Sequence, residues 1–111
     1  GTNKEAIIAG ADILAHPGHI TLEEIKMTID NNVYLEITAR KGHSLFNGYL
    51  YKYFQKYNFP VICSSDAHSA DDLLTEEMYR KVLIGAGFDK SECNIIEKNA
   101  RGLLRRCLRR I

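Results

Sequence analysis

The amino-acid sequence predicts an α/β fold built of three β–α units with parallel strands behind a leading helix. Two observations carry this reading. Short apolar runs at 12–16, 33–39 and 59–65 alternate with stretches of helical periodicity. Their starts recur every ~20 to 30 residues, the size of a βαβ crossover. Polar residues gather just after each run: His16, then Arg40 to His43, then Asp66 to His68. In open α/β sheets and in (β/α) barrels alike, that strand end is where ligands bind.

The elements follow in order. "EAIIAGADILAHPGH" reads as the end of a helix stopped by Gly10, then a strand from Asp12 to His16. "TLEEIKMTIDNN" is a helix with Thr21 as N-cap and Glu24 three residues on, a capping box. "VYLEITA" is a β-branched strand, and Ser44–Tyr57 a helix with Phe46, Leu50, Tyr53, Phe54 and Tyr57 on one face. "FPVICSS" is the third strand, and 72–85 a helix stopped by Gly85 and Gly87. Two short helical pieces complete the chain, one capped by Ser91 and one ending in arginines. The expected sheet is parallel and covered by helices on both faces. Three strands alone leave both sheet edges unpaired, so the chain is expected either to belong to a larger barrel or to complete itself by association.

At 111 residues, 45% hydrophobic and 26% charged, the composition is that of one small globular domain, 1–111. No apolar run nears the roughly 18 residues that span a membrane, and no basic-then-apolar leader opens the chain. No membrane association and a cytoplasmic setting are expected. Cys63, Cys93 and Cys107 share no C-x-x-C spacing and read as thiols in a reducing compartment. Charge is uneven: residues 1–97 carry 9 basic and 14 acidic side chains, residues 98–111 carry 6 basic and no acidic ones. In the tail Leu103, Leu104, Cys107, Leu108 and Ile111 recur at helical spacing. Two readings stay open there: a packed amphipathic helix, or a basic patch for nucleic acid.

Chemistry concentrates at the strand ends. In an extended segment Asp66 and His68 point to one side and can reach one ion. Imidazole and carboxylate together suit zinc, manganese or iron, with His16 as a further ligand. Against this, a lone histidine at a strand end can simply close a loop. Glu36 is a carboxylate inside an apolar strand, costly unless paired or coordinated. It either serves the site or pairs with Arg40 or Lys41. "ARKGHSLFNG" places Arg40, Lys41 and His43 before a helix N-terminus, a setting suited to phosphate oxygens or to a solvated loop. His19 and the Asp71–Asp72 pair read as helix caps.

"ILAHPGHIT", "YLEITARKGHSLFNG" and "VICSSDAHSADDL", in this order, resemble the C-terminal motifs of the polymerase and histidinol phosphatase (PHP) superfamily, in particular its histidinol-phosphatase-like hydrolases. The resemblance implies the C-terminal portion of a distorted, TIM-like (β/α)7 barrel. It also implies two or three divalent ions at the strand C-termini and hydrolysis of a small phosphomonoester. By motif, His16, Asp66 and His68 match metal ligands, with Asp66 also catalytic. Glu36 matches a recurrent site acid. Arg40, Lys41 and His43 fall where substrate phosphate is gripped, with His43 placed to protonate the leaving alkoxide. The family's early H-x-H motif does not occur in these 111 residues. The implied partner is therefore an N-terminal half of the barrel, or a second copy. The alternative implied by the basic tail is a polymerase-associated or nucleic-acid-binding module without phosphatase activity.

Overall fold

The structure, a computed structural model, describes residues 2–15, 17–39, 44–64 and 76–109, the side chains of Glu76 and Cys107 excepted. Helix α1 (Thr2–Ile8) precedes a two-residue strand β1 (Ile13–Leu14), then α2 (Leu22–Asp30) and β2 (Tyr34–Thr38). A 3-10 turn, Ser44–Phe46, leads into α3 (Asn47–Tyr57), followed by β3 (Val61–Ser64), α4 (Glu76–Ala86) and α5 (Lys90–Arg109). Among the described residues no helix is long and apolar enough to cross a membrane.

The helix starts follow from their caps. Thr21 Oγ1 accepts the Glu24 N–H at 3.1 Å, and the Glu24 carboxylate accepts the Thr21 N–H at 2.9 Å. That backbone hydrogen bond holds the Glu24 carboxyl below its ordinary value. The same reciprocal pair opens α5. Asp89 accepts from the Glu92 N–H at 2.8 Å and donates its own N–H to Glu92 at 2.9 Å. This corrects the expected Ser91 cap and the expected pair of short helices: α5 is one helix of 20 residues, running through Gly102. Gly85 likewise lies inside α4, and the stop is Gly87 alone. At φ +119 Gly87 occupies backbone space that side chains disfavour. A Cβ there would meet the Tyr51 ring at 2.6 Å. The tight turn brings Phe88 against Tyr51 and Phe54, at centroid distances of 4.5 and 5.1 Å.

All three strands are parallel, in the order β1-β2-β3, with Ile13 beside Tyr34, Leu35 beside Val61 and Thr38 beside Ser64. β1 is shorter than the expected 12–16 run. The period of two then sorts the side chains. Leu35, Ile37 and Val61, each 0% exposed, point into one apolar core with Leu14, Ile25 of α2, Leu50 of α3, Leu83 of α4 and Ile96 of α5. Each fully buried aliphatic contributes about 1.5–3 kcal/mol. Tyr34, Glu36, Thr38, Ile62 and Ser64 occupy the opposite face. Helix packing is therefore unequal: the apolar core lies on one side, and the other side carries the polar residues.

Two asparagines finish the sheet edges. β2 runs past the end of β1, so the Thr38 backbone lies beyond the β1 ladder on that side. Asn47 fills the place: its Oδ1 accepts the Thr38 N–H at 3.1 Å, and its Nδ2 donates to the Thr38 carbonyl at 2.7 Å. On the far side of β3, Asn99 Nδ2 of α5 donates to the Val61 carbonyl at 3.0 Å. Buried backbone groups need such partners, which is why two helices carry amides here. α5 then reaches the opposite ends of the strands, where Arg106 pairs with Asp12 at 3.2 Å and lies 5.5 Å from the Tyr34 ring centroid. Of the tail leucines Leu103 is buried, while Leu104 and Leu108 are 61% and 57% exposed, so the expected stripe packs only in part. The buried face of α5 is the one bearing Cys93, Ile96 and Leu103, and the other two leucines lie off it.

Candidate functional site

Parallel strands present all their C-terminal ends on one rim. The segments that continue the chain from that rim contain His16, Arg40, Lys41, His43, Asp66 and His68. These six lie outside the described residues, as do Asp71 and Asp72. Glu36 is described. It sits on the central strand, 5% exposed, and its carboxylate accepts a hydrogen bond from the hydroxyl of Ser64, the last residue of β3. Together Glu36 and Thr38 border a crevice of about 10 Å³ with Pro17 and Gly18, which follow β1 in sequence, and Phe46. Its room is that of about one water molecule. Among the described residues no group of three histidine, cysteine or carboxylate side chains could hold an ion.

Cys63, one residue before the rim, lies on the core face of the sheet, opposite the face that carries Glu36. Burial, then the negative charge of Glu36, then Cys93 push its thiol up to about 12. Cys93, fully buried, is also raised, chiefly by burial. Both are unpaired, and both stay protonated near neutrality. Burial thus gives these two positions the character of packed thiols, not of activated ones.

His19 is not a cap. Its ring packs edge-on against Phe46 and Tyr49 at 4.4 and 5.0 Å, and Tyr49 donates its hydroxyl to the Ile20 carbonyl at 2.9 Å. The cap of α2 is Thr21, two residues later. A roomier pocket of about 370 Å³ opens between α4 and α5, lined by Cys63, Tyr79, Leu83, Ile96, Glu97 and Arg101. Sequence reasoning missed it, because it forms between helices that no local pattern pairs. It also missed Ser64 as the partner of Glu36. The one signal for Ser64 is its position at the end of an apolar run.

The described molecule is thus a small mixed α/β protein with a parallel sheet and a buried acid behind its C-terminal rim. Over 92 residues it is 37% identical to an uncharacterized protein of Methanocaldococcus jannaschii, an overlap covering 82% of this chain and 42% of that protein. The chain accordingly spans about two fifths of the relative it matches. No family model and no solved structure matches it.

Proposed function

We propose that this chain is part of a metal-dependent phosphoesterase of the PHP type, acting on a phosphomonoester. The observation that carries the proposal is Glu36: a buried carboxylate on the central strand, held by Ser64 at the strand exit that leads to Asp66 and His68. A buried acid at such a rim suits hard divalent cations, which neutralise the charge that burial makes costly. The strand order supports a barrel over a doubly wound sheet. Strands that follow chain order, joined by right-handed crossovers, put consecutive helices on the same side, as in a (β/α)7 barrel wall.

His16, Asp66 and His68 are the residues that would hold two or three zinc, manganese or iron ions, with Glu36 supporting them from beneath. Bound ions would supply a water acidic enough to ionise near neutrality and would neutralise phosphate oxygens. Arg40 and Lys41 bind the phosphate group from the start of the segment before α3. His43 holds the proton that the departing alkoxide needs. Asp66 orients the attacking water.

Elemental analysis with a phosphomonoesterase assay tests this on the protein expressed at full length. Stoichiometric zinc, manganese or iron and turnover are expected, both lost in Asp66→Ala with His68→Ala while the circular dichroism spectrum holds. Metal content that does not change in that variant rejects the reading.

A further inference from the structure

We propose that the exposed face of α5 is a docking surface for a nucleic-acid strand, engaged through its phosphates. Lys98, Arg101, Arg105 and Arg109 are all exposed. At about 100° per residue they fall within an arc of roughly 80°, on the side of α5 turned away from buried Cys93, Ile96 and Leu103. Among the described residues none of the four belongs to an ion pair, and Arg109 Nε donates only to the Arg105 carbonyl of its own helix, at 3.5 Å. The arginines that serve the fold are partnered instead: Arg80 with Glu97 at 3.0 Å, and Arg106 with Asp12 at 3.2 Å.

This row is an unfavourable arrangement for a helix standing alone. Arg101, Arg105 and Arg109 are spaced at i, i+4, where like charges repel, and no acid occurs anywhere from 98 to 111. The negative end of the helix dipole favours cations only in the last turn. It accounts for Arg109, not for Lys98 or Arg101. A polyanion lying along the row removes the repulsion. At about 1.5 Å rise per residue the row is roughly 16 Å long. A strand laid along it can bring a phosphate to each of the four cations.

A lipid surface fits less well. An interfacial helix inserts a broad apolar face, whereas the broad apolar face of α5 is turned into the fold, leaving Ile95, Leu104 and Leu108 as separate exposed apolar side chains on either side of the row among the described residues. The docking surface is independent of the phosphoesterase reading, since it uses none of the rim residues.

Fluorescence anisotropy of the full chain with a labelled single-stranded oligonucleotide, titrated across salt concentrations, tests the proposal. Binding at low salt should weaken linearly on a log–log plot, with a slope of about −0.7 per phosphate engaged. Arg101→Gln with Arg105→Gln should make that slope shallower by about 1.4 and weaken low-salt binding at least about tenfold. Both side chains are exposed, and circular dichroism checks that the helix persists. Lys98→Gln with Arg109→Gln gives an independent pair with the same expectation. The proposal is overturned if the wild-type chain does not bind, if the slopes coincide, or if the chain binds phosphatidylserine vesicles but not the oligonucleotide.

Discussion

Glu36 is the residue on which the proposed rim chemistry turns, and it is legible in the sequence because a carboxylate inside "YLEIT" breaks an apolar run. Its environment is not legible there. The Ser64 hydroxyl that bonds it is brought near by strand register, 28 positions along the chain. Cys63 reports on the same acid. Its thiol, pushed from 9.0 to about 12, keeps its proton in the native state where the unfolded chain loses it. The stabilisation is complete below pH 9 and is lost as pH rises through the native value, at up to about 1.4 kcal/mol per pH unit. Urea unfolding of Cys63→Ala should therefore show a smaller loss of stability between pH 9 and 11 than the wild-type chain shows. Iodoacetamide at pH 8 should label Cys63 far more slowly in the native protein than in urea. Equal pH slopes for the two proteins would remove Glu36 and burial as the cause.

At the scale of elements, periodicity reveals more than boundaries do. The helices and strands are legible, as is the Thr21–Glu24 capping box, because each rests on contacts within a few residues. The tail is expected to break, yet α5 runs on, since Asp89 and Glu92 cap it, Asn99 and Arg106 bond to Val61 and Asp12, and Leu103 is buried. Tertiary anchoring overrides a lone glycine at 102. The two glycines concerned differ in a way that substitution can read. Gly102 sits in the helix, where an added Cβ meets nothing within 4 Å. Gly102→Ala should stabilise the protein by about 0.5–1 kcal/mol. Gly87 combines positive φ with the Tyr51 contact, so Gly87→Ala should destabilise it by at least about 1–3 kcal/mol. Thermal midpoints moving in opposite directions check both. A common direction would mean that the α4–α5 turn is not built as described.

For the whole molecule, the question posed by three strands is which edge remains open. The far side of β3 is met by Asn99, and the overhang of β2 by Asn47. The outer side of β1 has no such cover among the described residues. The ladder directs Asp12 and Leu14 toward β2, so the N–H and carbonyl of Ile13 face away from the sheet. Ile13 itself is 38% exposed, and Ile8 nearby in the chain is 72% exposed. An edge that offers unpaired backbone beside apolar side chains templates a further strand. The 111-residue chain should therefore associate through β1 as its concentration rises, seen as a mass above 12.6 kDa in light scattering. Ile8→Lys with Ile13→Lys places two charges on the edge and should return the chain to a monomer without unfolding it, because neither side chain belongs to the fully buried core apart from that edge. Association that persists in the double variant would move the contact elsewhere, with exposed Leu104 and Leu108 on α5 the next face to substitute. A chain that stays monomeric at every concentration and binds no hydrophobic dye would show that β1 needs no partner, and with it the half-barrel reading of the sheet would fail.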